Sequence, residues 1–445
     1  MANLLFCSEQ LLHERFLQTD LGQLYLSIPF EKLSSVIPAP QYSISGRGRK
    51  PWFDVKGAIG LMILKHYLSI SDELLIERIN TDWSMQLFCG IRIKADERIA
   101  DTNLPSYWRG YLGRHLDINS LQGVLAAHWK PYMQQTGLGM QDATCYESRV
   151  SYPTDLKLLW QSCNWVHLQI QQQRKHLRLR KSRNNYEKHK MAVLSYQKKR
   201  RKGKREEKKL RKKILKYLHR LLDLLGQLQQ DPKSPALSVK QQKRLDTIQK
   251  VYSQQHEKMY GDPHIKNRIV SLSKPYIRPI VRGKEVKPVE FGAKVNKLVV
   301  DGISFIQHFS YEAFNEGCCY EEGIFLQRKL FGKCTHHSAD AIYATNSNRK
   351  YSTSQNIVTN FKPKGRQKLQ DKEAAQTMRA ALNKGRGTIL EGSFGNDKNH
   401  YLLQKVNARN EHTEKCWIFF GILAANASII SQRIQKQQVH PRAAA

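Results

Sequence analysis

The sequence predicts an α/β fold: a mixed sheet with helices on its faces, preceded by an all-α region and interrupted by a basic helical-hairpin insertion. Three observations predict it. Strand-like text begins only at Gly137, after a long helical region. Basic helical text then runs from Lys157 to about Gln230, with a second helix following, and strand signals return only after Pro263. Two alternating apolar runs, residues 293–300 and 303–311, are joined by Asp301-Gly302, a hairpin-turn signal. These shifts divide the chain into a helical region (1–135), a first sheet segment (136–156), the basic insertion (157–262), the rest of the sheet region (263–435) and a tail expected to be disordered (436–445).

Residues 4–35 read as short helices of mixed pattern. A turn-rich stretch follows, carrying G-R-G-R-K at 46–50; Arg47, Arg49 and Lys50 form either a basic loop that tracks phosphates or a solvated linker. Residues 55–68 place Val55, Ile59, Leu61, Met62, Leu64 and Leu68 at helical spacing. Ser71, with Asp72 and Glu73 in the next positions, is a capped helix start. Together with W-S-M-Q-L-F-C-G it gives a unit that could be helix-turn-helix-like. A further helical run covers 107–132.

From Gly137 the text alternates as a strand does, with Asp142 in its middle. An acidic residue is disfavoured inside a strand, so it faces either solvent or a site. The basic text is densest at 198–213 and includes Lys199, Arg200 and Arg201. Leu210, Ile214, Leu215, Leu218, Leu221, Leu222 and Leu225 give it an apolar seam, and a turn at 231–235 leads to a second helix, 238–260, as an antiparallel hairpin. After the 293–311 hairpin, in which Asp301 is a turn residue, come a helix at 318–331, a strand at 334–339 ending in Asp340, and a strand at 356–361. Residues 388–405 have helical spacing with Leu390, Phe394, Tyr401 and Leu402 inward. Gly392 and Gly395 there suggest close backbone approach to something. Glu391 and Lys398, seven apart, point the same way. An apolar helix, 413–434, closes the order, which matches an RNase H-like plan.

Charge is the dominant feature of composition: 73 Lys and Arg against 38 Asp and Glu, a formal +35 over 445 residues. Its usual compensation is a polyanion, nucleic acid before an anionic membrane. Eight scattered cysteines without a C-x-x-C pair fit free thiols in a reducing cytoplasm, and Cys334, His336 and His337 lack a second ligand pair for zinc. No signal peptide is read at the N-terminus, and the apolar run 417–430, interrupted by Asn426, is too short to span a bilayer.

Phosphodiester chemistry needs charge neutralised at the attacking and leaving oxygens, which two Mg²⁺ ions about 3.5–4 Å apart provide. Mg²⁺ takes hard oxygen ligands, few of them from protein. Three carboxylates on separate elements are a sufficient set, and Asp142, Asp340 and Glu391 each lie on an element of a suitable type.

Nearly the whole chain resembles the DDE transposases of bacterial insertion sequences, which have a split RNase H-like catalytic core. The segment beginning P-W-F-D-V-K-G-A-I-G-L is similar to their N-terminal helical domain. Q-D-A-T-C-Y-E-S-R-V, L-F-G-K-C-T-H-H-S-A-D-A-I-Y-A-T and L-E-G-S-F-G-N-D-K-N-H-Y-L-L resemble the three catalytic segments. The resemblance implies catalytic and metal-binding roles for Asp142, Asp340 and Glu391, with two Mg²⁺, replaceable by Mn²⁺. It also implies a Tyr, Arg, Glu, Lys signature. Lys398 fits its Lys, but the Arg position four before Glu391 holds Gly387, with Arg386 one residue earlier, and the Tyr position holds Lys384. The implied activity is binding of terminal inverted repeats, metal-dependent hydrolysis and strand transfer into target DNA, with Lys398 and Arg386 on phosphates. The implied state is a homodimer or larger synaptic multimer at the bacterial nucleoid, with no membrane. The alternatives are a structure-selective RNase H-like nuclease or resolvase, and a non-catalytic DNA-binding remnant.

Overall fold

A computed structural model describes residues 9–41, 51–180, 184–281, 288–365 and 369–439. Arg47, Arg49 and Lys50 lie outside the described residues, as do the last six residues of the expected tail, whose first part continues the closing helix. The fold is mixed α/β. Its strands are β1 (Leu138–Ser148), β2 (Pro279–Val281), β3 (Val289–Val300), β4 (Ile303–Ser310), β5 (His336–Ala339), β6 (Val358–Thr359) and β7 (Lys405–Val406). The main order across the sheet is β4-β3-β1-β5-β6, with β2 also paired to β3 and β7 also to β1. β3 and β4 are antiparallel, whereas β5 runs parallel to both β1 and β6. The β3–β4 turn has Asp301 at φ 51° and Gly302 at φ 80°, the doubly left-handed geometry that Asp-Gly permits most easily.

The chain forms two compact units, Met1–Arg149 with Ala293–Ala445, and Val150–Gly292. In the first, the N-terminal helices and the sheet share one core. Its long closing helix, Glu411–Val439, is longer than the apolar run suggests. Over Glu411–Gln437 it is long and apolar enough to cross a membrane by length and composition, yet 78% of its most apolar window is buried inside the protein. Asn426 within it explains itself: its side chain accepts from the Ser304 backbone N–H (2.9 Å) and donates to the Ser304 carbonyl (2.7 Å). Gln122 does the same for Ile306, at 2.6 and 3.0 Å. Strand β4 therefore has its outward backbone groups satisfied by two side-chain amides, which keeps this edge from pairing elsewhere.

The expected start at Ser71 is present, its hydroxyl accepting from the Leu74 N–H. The helix-turn-helix reading of 71–90 is corrected. Helices Asp72–Thr81 and Trp83–Phe88 meet at Asp82 alone, which ends one and caps the next, shorter than the three- or four-residue turn of that motif. The single run 107–132 is two helices, Leu104–Arg114 and Ile118–Trp129, because Asp117 caps a new start.

The second unit contains the expected hairpin as Lys204–Gln229 and Val239–Tyr260, the latter opened by a Ser238–Gln241 capping box. Two further helices, Asp155–His176 and Tyr186–Lys198, pack with it, so among the described residues the unit holds four helices and not a lone hairpin. The physical reason is area: the buried seam Ile214, Leu218, Leu221 and Leu225 needs more cover than one partner helix supplies. Leu159, Val166 and Ile170 of the first helix provide it. Asp155, at that helix's first turn, joins Arg211, Lys258 and Arg268 at 2.7–2.8 Å.

Candidate active site

In a strand every second residue shares a face. On one face of β1 stand Met140, Asp142, Thr144 and Tyr146, and a single helical run from Leu369 to His400 lies over them. Met140 clusters with Leu390, and Tyr146 donates to Asp397 at 2.5 Å. Lys398 Nζ donates to Thr144 Oγ1 at 2.9 Å and lies over the Tyr146 ring. The opposite face is set by Gln141, which donates to the Cys319 carbonyl (2.7 Å) and sits 3.1 Å from His337 Nε2. A side chain at Gly323 would meet its amide at 2.3 Å, so a larger residue there would have to displace Gln141. The two faces fix β1 and aim Asp142 toward the long helical run.

Asp340 is brought to Asp142 by strand register. β1 and β5 pair Gln141 with Ala339, the last residue of β5, so each candidate carboxylate directly follows one member of that final pair. Parallel neighbours lie about 4.8 Å apart. Asp340 is exposed and caps the short turn 341–343, its Oδ1 accepting from Ala341 N–H at 2.7 Å.

Glu391 is brought in by Arg386. One guanidinium nitrogen, Nη1, lies 3.4 Å from Asp142 Oδ2 and 3.2 Å from Glu391 Oε1, placing the two carboxylates within two ion-pair lengths of each other. The backbone bears on the one-residue offset of this arginine from the position that the resemblance implies. Residues Arg386–Leu390 form a π turn, in which the Glu391 N–H reaches back to the Arg386 carbonyl. A π turn closes one residue later than an α turn, so the residue five before Glu391 takes the face that the residue four before would hold in an α-helix. Gly387 falls on the exposed side, and Lys384, at the Tyr position, is exposed too.

The expectation of a continuous helix over 388–405 is corrected at its end. The helix stops at His400, and Leu402 adopts φ 59° outside it; Leu390 and Tyr401 are nevertheless buried. Nor do Gly392 and Gly395 admit close protein neighbours: a side chain at either would meet open space.

Burial pushes Asp142 up to about 6, and the charges of Glu316 and Asp340 add to this, against the Ala143 N–H bond and Arg386, which oppose it. Glu316 is an acid that the sequence reading missed. It opens the short turn Glu316–Cys319 and pairs with Lys294 at 2.8 Å. No local pattern distinguishes it from other surface glutamates. Beneath Glu391's helix lies a fully buried pair, Lys297 and Asp397, at 2.6 Å, with Ser393 and Tyr146 completing its hydrogen bonds. It ties the helix to β3 and β1.

Among the described residues, no group of three or more His, Cys, Asp or Glu side chains is gathered closely enough to hold a metal ion, and Cys334 with His336 and His337 is no exception. Lys199, Arg200 and Arg201 are exposed between two helices of the second unit, with Lys199 paired to Glu206 at 2.6 Å.

Residues 14–110 match the family model described as Transposase domain (DUF772). No curated protein and no solved structure matches the chain.

Proposed function

We propose that the chain is a DNA transposase of the DDE type, acting on the ends of an insertion sequence through an RNase H-like core. The match over residues 14–110 supports a transposase; the carboxylate arrangement supports the finer reading. The observation that carries it is the juxtaposition of Asp142 with Asp340 across neighbouring parallel strands and with Glu391 through Arg386. A central first strand, an antiparallel hairpin on one side and parallel strands on the other suit that core.

The donor set suits a hard divalent ion. It is all oxygen, and Asp142 carries an electrostatic burden from burial and neighbouring acids that a cation would relieve. Asp142, Asp340 and Glu391, which are not gathered closely enough to hold an ion as they stand, would have to draw together around Mg²⁺ or Mn²⁺. When bound, such ions supply Lewis acidity at phosphate oxygens and lower the pKa of water. Arg386 now balances Asp142 and Glu391 with its own charge; in this reading it turns to the DNA backbone when the acids are otherwise neutralised. Lys398, held beside Thr144 on the Asp142 face, positions a phosphate with a point charge. The exposed cations of the second unit, Lys199, Arg200 and Arg201 among them, and the basic loop at 46–50 would hold duplex DNA, both terminal repeats and target, in a homodimer or larger synaptic assembly.

The test is strand transfer with end-containing DNA and Mg²⁺. Asp142→Asn and Glu391→Gln are expected to abolish nicking and joining while leaving end binding within about threefold of wild type. Full joining activity in either variant rejects the assignment.

A further inference from the structure

The second unit carries a groove that the catalytic reading does not use. It has a volume of about 620 Å³ and runs between helices Lys204–Gln229 and Val239–Tyr260. One wall is a row of rings. Tyr252, His256 and Tyr260 stand four residues apart on one helix face, with successive centroids 5.9 and 4.8 Å apart. His219, from the facing helix, stacks on Tyr252 at 5.5 Å with the planes only 12° apart. The other wall holds Lys216 and Arg220, and Lys212 continues their spacing one turn beyond it. The helices run antiparallel, so Lys212 meets Tyr260, its Nζ 5.5 Å from the ring centroid, at the end opposite the His219–Tyr252 stack. Tyr260 and His219 are at least half exposed. The acid in contact is Asp223, 3.5 Å from His219 Nε2, which steadies that imidazole.

We infer that this groove binds an unpaired nucleic-acid strand, stacking its bases on the Tyr252–His256–Tyr260 row while Lys212, Lys216 and Arg220 follow its phosphates. Aromatic rings beside a cationic track are what a single strand requires, because every base offers a π face and every linkage a negative charge. A duplex hides its bases and gains nothing from the rings. Eight helical residues span about 12 Å, room for about three or four stacked nucleotides. The inference stands apart from the catalytic reading, since it concerns binding by a different unit and needs no metal.

The experiment uses the full chain and short single-stranded DNA and RNA probes carrying 2-aminopurine, whose fluorescence falls when it stacks on a ring, with a duplex of the same sequence alongside. Wild type is expected to quench a single-stranded probe. Tyr252→Leu combined with Tyr260→Leu is expected to restore its fluorescence and weaken its binding about fivefold to a hundredfold, with duplex affinity unchanged within twofold. His256→Ala, at an exposed position, repeats the measurement without touching the core. Quenching of either probe that the variants lose supports the inference, and the tighter-bound probe names the strand. Unchanged single-strand binding, or equal losses for single strand and duplex, overturns it.

Discussion

Replacing Asp142 with Asn removes a charge the fold resists while keeping the shape and the acceptor for the Ala143 N–H, now 2.8 Å away. The side chain is 18% exposed, and burial raises its pKa from 3.8 to about 6. A raised carboxylate pKa means the folded state binds the proton more tightly than the unfolded chain. The associated stability is therefore complete below about pH 4 and is lost as pH rises to about 6. At roughly 1.4 kcal/mol per pKa unit, about 3 kcal/mol is lost across that window. That figure is already net of the opposing attraction to Arg386. Asp142→Asn should therefore stabilise the first unit by about 3 kcal/mol at pH 7.5, or by roughly 6–12 °C, and by little at pH 4. Scanning fluorimetry at both pH values, without divalent ions, measures this. A variant that melts at or below wild type at pH 7.5, or gains equally at pH 4, refutes the claim that Asp142 is held ionised against its surroundings.

Elsewhere, Asp397→Ala leaves Lys297 buried without its partner and should cost about 3–5 kcal/mol in urea unfolding, with Lys297→Met added to it recovering part of the loss. Asp155→Ala should cost a similar amount in the second unit. Burial alone would raise Asp155, but hydrogen bonds from Lys258 and Gln255 and the charges of Arg268 and Lys258 outweigh it and hold it low. The unit's stability should then fall below about pH 4 in wild type and show no such limb in the variant, as followed by circular dichroism. Neutralising Lys199, Arg200 and Arg201 to Gln should reduce the slope of log affinity against log salt for duplex DNA by up to about 2.7, at about 0.9 per lost phosphate contact. An unchanged slope in a salt titration rules these residues out of the interface.

The elements with strong local chemistry were legible in the sequence. Asp-Gly at 301–302, the Ser71 cap and the leucine seam of 204–229 each form as expected, because short-range sterics and periodicity decide them. What sequence concealed was long-range. Glu316 joins the acids around Asp142 only through tertiary folding. The cover over the basic helices came from a helix some fifty residues earlier, and two amides, Gln122 and Asn426, turned out to serve one strand edge. Arg386 was visible as a residue, but a spacing argument that assumes an α-helix places it on the wrong face.

That π turn has a bearing on descent. A residue gained inside a helix would ordinarily rotate everything beyond it by about 100°, and so separate Glu391 from its neighbours. Here one widened turn, Arg386–Leu390, takes up one residue more than an α turn and still leaves Arg386 beside both Asp142 and Glu391. Chains with and without the insertion can therefore carry the same side-chain constellation. A comparison among them should place its one-residue gap between the arginine and the glutamate.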